Sequence, residues 1–138
     1  GYPPFPEPQM AALEELLAGV LERHRIAPER VVGHACVAPG RKCDPGEKFD
    51  WRRLARSGLS VWEDPEPGPD GAAEADRFQA AALRFGYPVP VSGRWCAPTL
   101  AVWRSFAMRF LPARSAAEPF AAAVAHLERL AARWPCEN

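Results

Sequence analysis

The sequence lacks an excess of charge of either sign: 17 Lys and Arg are balanced by 17 Asp and Glu over 138 residues. Without net charge there is no electrostatic footprint for a nucleic-acid backbone or an anionic membrane surface, so no nucleic-acid partner is expected. No run approaches the ~20 apolar residues that a bilayer span needs, so no transmembrane segment is expected either. Nor do the first residues, Gly1-Tyr2-Pro3-Pro4-Phe5-Pro6, show the charged and apolar regions of an export leader. The expectation is a mature chain, or one whose beginning is missing. There is no internal repeat, no Gly-Lys phosphate loop and no serine in a nucleophile elbow.

What is present is ordinary for a folded domain. Apolar and aromatic residues make up 48% of the chain, and a chain near 150 residues buries roughly 70% of its unfolded surface. Charge is distributed unevenly. Residues 1–62 carry nine basic and eight acidic groups, residues 63–76 none and six, and residues 77–138 eight and three. The acidic Pro/Gly segment 63–71 reads as a linker between two parts. Four cysteines, Cys36, Cys43, Cys96 and Cys136, allow two disulfides in any of three pairings, which the sequence does not choose among.

Before the linker, Met10, Leu13, Leu16, Leu17, Val20 and Leu21 recur at helical spacing, which predicts an amphipathic helix from Pro8 to Arg25. Val31-Val32-Gly33-His34 reads as a short buried strand. Asp50 is the expected N-cap of a short helix, and Gly58 its C′ residue. One strand cannot make a sheet, so residues 1–62 read as the tail end of a larger α/β domain. After the linker, three helical faces follow. They are Ala75, Phe78, Ala82 and Phe85, closed by Gly86; Leu100, Trp103, Phe106 and Phe110, stopping before Pro112; and Phe120, Val124, Leu127, Ala131 and Trp134. Ser115 with Glu118 fits a capping box for the last. These three predict a small bundle.

The stretch that carries chemistry is Gly33-His34-Ala35-Cys36-Val37-Ala38-Pro39-Gly40-Arg41-Lys42-Cys43-Asp44-Pro45-Gly46. A Pro-Gly turn between His34 and Asp44 can fold the chain back so that both meet one ion. Asp44 precedes a proline and is biased to extended backbone, so Asp44 and Lys42, two apart, project to the same side. Imidazole plus carboxylate suits a catalytic zinc, which takes three protein ligands and leaves one position open. The alternatives are a hydrogen-bonded structural histidine and an aspartate serving its own turn. A closed site of His34, Cys36, Cys43 and Asp44 is a further option, although Cys-x6-Cys lacks knuckle spacing. More simply, Cys36 and Cys43 are small buried residues or a local disulfide. His126, among Ala123, Ala125 and Leu127, reads as a packed ring. Trp103 and Trp134 read as core, and Trp95 as the exposed tryptophan.

Val32-Gly33-His34, Ala38-Pro39-Gly40-Arg41-Lys42, Asp44-Pro45-Gly46 and Phe49-Asp50-Trp51 together resemble the signature of the zinc-dependent N-acetylmuramoyl-L-alanine amidases of the second type, the AmpD/AmiD-like family. Phe78-Gln79, Phe85-Gly86-Tyr87 and the run from Phe106 to Pro112 are similar to the helical peptidoglycan-binding module that follows the catalytic domain in one branch. The resemblance implies an α/β fold: residues 1–62 as the C-terminal part of a mixed-sheet amidase domain, 63–71 as linker, and 72–138 as a three-helix peptidoglycan-binding module. It implies zinc as cofactor, His34 and Asp44 as metal ligands and Lys42 as the group that stabilises the oxyanion; for Arg41 a substrate contact is one option, and a structural salt bridge is the favoured reading. The implied reaction is hydrolysis of the amide between N-acetylmuramic acid and L-alanine in peptidoglycan or muropeptides. The family's first zinc histidine and its general-base glutamate have no counterpart here, which makes a non-catalytic peptidoglycan-binding fragment the alternative. A periplasmic location, with an outer-membrane lipid anchor, follows from the substrate; a cytoplasmic role on anhydro-muropeptides is the other option.

Overall fold

The computed structural model describes residues 3–136, and within them the chain is helical. Six α-helices follow in order: α1 (Glu7–His24), α2 (His34–Val37), α3 (Trp51–Arg56), α4 (Ala75–Phe85), α5 (Ala97–Phe110) and α6 (Ala121–Arg133). Single 3-10 turns at Pro28–Arg30 and Pro112–Arg114 join them.

The expected α/β class is therefore corrected. Among the described residues there is no sheet, and the only β pairing is an isolated bridge between Ala72 and Phe120. Val31 and Gly33 do have extended backbone, with ψ of 107° and 164°. They have no neighbouring strand to pair with, and β-branched residues in an extended segment make a strand only when a ladder exists. His34 opens α2 instead of closing a strand.

The helices form where the apolar spacing places them. α1 carries Glu7 in its first turn and Arg23 and His24 in its last, each sign at the end of the helix that its dipole favours. Of its apolar stripe only Met10 is fully buried; Leu16 is 62% exposed. Met10 packs with Trp51, Leu54 and Leu59 in a small cluster that includes Phe5, Leu17 and Leu21 at its edge. Arg53 on α3 ties this cluster together by pairing with both Glu7 and Glu14 of α1. Asp50 caps α3 as expected, its Oδ1 accepting from the Arg53 N–H at 2.9 Å.

The larger core is aromatic. Phe78, Trp103, Phe106 and Phe110 are all at most 2% exposed. Their rings meet at centroid separations of 5.6 to 6.4 Å, the range that favours edge and offset contacts. Val124, Leu127 and Leu130 of α6 close the other side. α4 ends at Gly86, whose φ of 118° lies in the left-handed region open to glycine. Gln79 is buried at the centre of a polar knot. Its amide nitrogen donates to Thr99, Ser92 and the Arg94 carbonyl, and its oxygen accepts from the Gly93 N–H at 2.8 Å. Trp95 is half-buried rather than exposed: it packs on Phe78 at 5.1 Å and donates to the Ala73 carbonyl.

The expected capping box at Ser115 and Glu118 does not form. Residues 115–116 are a turn and 117–119 are irregular, and α6 starts after Phe120 without a side-chain cap. Pro119 explains the shift, because the residue before a proline is pushed out of helical backbone.

The segment 63–71 runs as an irregular strap on this helical body. Trp62 donates to Asp64 at 2.9 Å, Glu63 pairs with Arg129 at 3.1 Å, and the Glu63 carbonyl meets His126 Nε2 at 2.8 Å. His126 is 1% exposed, its ring packed between Phe106 and Phe110.

Burial holds the His126 pKa below its usual 6.5. The unfolded chain therefore takes up the proton first. The stability that this residue contributes is complete above about pH 6.5 and is lost as pH falls through the lower folded value. Thermal melts at pH 5 and 7.5 should show the parent chain losing more on acidification than His126→Gln; equal losses would contradict this account.

Candidate functional site

The loop after Val32 folds back on itself through backbone contacts. The Ala35 N–H donates to the Asp44 carbonyl at 3.0 Å, bringing the start of α2 beside the end of the loop. Within it, the N–H groups of Arg41 and Lys42 both donate to the Ala38 carbonyl, at 3.1 and 3.0 Å. Gly40 takes φ of 80° at the turn, and a Cβ there would lie 3.1 Å from the Ala101 Cβ of α5. The loop is thus pressed against the helical core. The Asp44–Pro45 peptide is cis.

Gly33 is the tightest point. A Cβ at this position would stand 2.7 Å from Pro45 Cδ, 3.2 Å from Trp51 Cζ2 and 3.4 Å from the Asp44 carbonyl oxygen. Only glycine lets the two ends of the loop approach so closely.

The consequence is that His34 and Asp44 meet: Nδ1 and Oδ2 are 3.4 Å apart, with the side chains 49% and 65% exposed. Two donors of the type zinc accepts converge on one solvent-facing point, and in this respect the residues fit the metal. No third His, Cys, Asp or Glu joins them in a metal-binding group among the described residues. Lys42 and Arg41 are both exposed, and neither makes an ion pair among the described residues.

Cys36, Cys43 and Cys96 are free thiols. Cys36 points into the core, buried at 7%, whereas Cys43 is exposed. The two diverge, which leaves neither a local disulfide nor a closed thiolate site. Cys96, at the start of α5, has its thiol pKa lowered to about 7 by hydrogen bonds from Thr99 and Ser92. Sequence reading missed Arg109, which is 3% exposed and reaches from α5 to the Cys36 side of α2. A charged residue within the apolar face of α5, next to Phe110, is the signal that marks it.

The packing at Gly33 makes a direct prediction. Gly33→Ala should destabilise the chain by about 1–3 kcal/mol in chemical denaturation, because the ring of Pro45 cannot swing away as a flexible side chain would. An unchanged midpoint would show that the fold-back does not depend on this contact.

Comparison with known proteins gives consistent matches. The profile of a family described as N-acetylmuramoyl-L-alanine amidase matches residues 1–47. The N-acetylmuramoyl-L-alanine amidase AmiD of Escherichia coli is 43% identical over 96 residues, covering 64% of this chain and 35% of AmiD. The 1,6-anhydro-N-acetylmuramyl-L-alanine amidase AmpD of Haemophilus influenzae is 40% identical over 55 residues, covering 39% of this chain and 30% of AmpD. Among solved structures, AmiD of E. coli in complex with the substrate anhydro-N-acetylmuramic acid-L-Ala-D-gamma-Glu-L-Lys superposes with a TM-score of 0.85 at 30% identity, over 97% of this chain and 55% of that one. AmpDH3 of Pseudomonas aeruginosa superposes with a TM-score of 0.77 at 27% identity, over 97% and 56%. The chain spans about a third of the length of these curated relatives.

Proposed function

The chain belongs to the N-acetylmuramoyl-L-alanine amidase family, matched through residues 1–47, and from that premise we propose that it forms part of a zinc amidase that hydrolyses the amide between N-acetylmuramic acid and L-alanine. The observation that carries the proposal is the convergence of His34 and Asp44 at 3.4 Å on an exposed point.

In this reading His34 and Asp44 supply two of the three protein ligands of a catalytic zinc, and the third ligand and the general base come from outside the described residues. Zinc bound there supplies a Lewis acid for the scissile carbonyl and brings the pKa of coordinated water towards 7. Asp44 contributes negative charge to the site, and its position is fixed by the backbone bond from Ala35. Lys42 presents an exposed ammonium that is not committed to a carboxylate, which leaves it available to negative charge developing on the substrate oxygen. Arg41, equally uncommitted, contacts the substrate. Residues 1–62 form the catalytic part and 72–138 a peptidoglycan-binding module joined by segment 63–71. The substrate places the protein in the periplasm, anchored at the outer membrane, with a cytoplasmic role on soluble anhydro-muropeptides as the alternative. No helix among the described residues is long and apolar enough to cross a membrane.

A second reading, a non-catalytic peptidoglycan-binding fragment, is favoured by one observation: only two metal donors converge. Hydrolysis of a muropeptide with added zinc separates the two when assayed on this chain and on a longer one carrying an upstream His and Glu. Activity in the longer chain supports the amidase; binding to peptidoglycan without cleavage in both supports the fragment.

Two predictions follow from the roles assigned. Calorimetric titration with zinc should show affinity at least tenfold weaker in His34→Ala and in Asp44→Asn, as expected on losing one of so few ligands; unchanged affinity in both would refute the metal assignment. Lys42→Met should leave zinc affinity unchanged and lower hydrolysis by the longer chain about 10²-fold. A loss of zinc affinity in this variant would mean that Lys42 shapes the loop instead.

A further inference from the structure

A second site lies behind the loop, on the opposite side of α2 from the exposed His34. Arg109 is a buried cation without a carboxylate. Its Nη2 donates to Ser60 Oγ at 3.2 Å, its Nη1 has only the Cys36 sulfur at 3.9 Å, and its Nε has no partner. The guanidinium is held in place by the rings of Trp51 and Phe110, 4.4 and 4.6 Å from its central carbon. Beside it, Tyr87 is 3% exposed, and its hydroxyl has the Cys36 thiol as a weak neighbour and no oxygen or nitrogen acceptor. Burying a charge or a polar donor without an acceptor is unfavourable, and native structures rarely leave two such donors together.

Both donors line one cavity of about 580 Å³, together with the Cys36 thiol. Arg30 and Arg133, exposed to solvent, and the carboxylate of Glu29 also line it, so the cavity remains cationic after Glu29 is counted. Phe85 and Trp134 give it an apolar flank. We propose that this cavity is a receptor for a small organic carboxylate, whose oxygens accept from Arg109 Nε–H and the Tyr87 O–H while its apolar body lies against Phe85 and Trp134. A single buried guanidinium matches a single negative charge, and its rigid planar fork suits the geometry of a carboxylate. The site shares no residue with His34, Lys42 or Asp44, and it stands whether or not the amidase reading holds.

The probe is sodium benzoate, titrated into the 138-residue chain by calorimetry and in thermal melts against sodium chloride at equal ionic strength. Benzoate should bind saturably in the millimolar range and raise Tm with concentration. Tyr87→Phe removes a hydroxyl whose one polar neighbour is the Cys36 thiol, a weak acceptor. In carboxylate-free buffer it should melt at or above the parent temperature, yet bind benzoate roughly five- to tenfold more weakly. Arg109→Met keeps an apolar chain between the two rings and should lose the benzoate-dependent rise altogether, while Arg109→Lys keeps the charge and should retain part of it. If Arg109→Met does not fold, Tyr87→Phe decides alone. The proposal is overturned if the parent shows no saturable binding, if Tyr87→Phe binds benzoate as tightly as the parent, or if inorganic phosphate binds more tightly than benzoate.

Discussion

The close approach of Gly33 to Pro45 and Trp51 is the constraint on which the rest of the site depends. The loop between His34 and Asp44 is long enough to hold the two side chains far apart. What prevents this is steric and local: one residue without a side chain, a proline ring 2.7 Å from where a Cβ would be, and an indole behind both. The Ala35 N–H to Asp44 carbonyl bond then fixes the register of the two ends. The meeting of His34 and Asp44 is therefore inherited from the packing beneath them.

That packing continues into the helical body. Trp51 belongs to the small cluster with Met10 and Leu54, and it is also one of the two rings enclosing Arg109. Trp62 lies at the edge of both apolar clusters and stacks on Phe110 at 5.6 Å. α2 is a single turn, too short to be stable by itself. It persists because Cys36 is seated in the larger core with Phe106 and Phe110 nearby. The loop and the aromatic bundle are thus mechanically continuous, and a cavity-forming change in α5 would be felt at α2.

Much of this was legible in the sequence, for reasons that are themselves physical. The 3.6-residue period of Phe78, Ala82 and Phe85, with Gly86 beyond, located α4 because spacing and C-cap are local properties. Asp50 was readable as a cap because it bonds a backbone group only three residues away. That His34 and Asp44 approach each other was legible through the turn between them. The strand at Val31–His34 was misread because a strand is completed by a partner elsewhere, and no local pattern reveals whether one exists. The capping box failed because Pro119 outweighed a weak side-chain preference. That Arg109, Tyr87 and Cys36 share one cavity escaped notice for a related reason. They lie 22 to 73 positions apart in the chain, and only tertiary packing places their polar atoms around one cavity.

The account's central claim is that His34 and Asp44 together hold a metal ion. X-ray absorption of the zinc-loaded chain tests this most directly, because the fine structure distinguishes oxygen and nitrogen from sulfur neighbours and shows the outer-ring scattering of imidazole. The account predicts a first shell of oxygen and nitrogen at about 2.0–2.2 Å with one imidazole and no sulfur. A sulfur shell near 2.3 Å, or a shell without imidazole scattering, would contradict it.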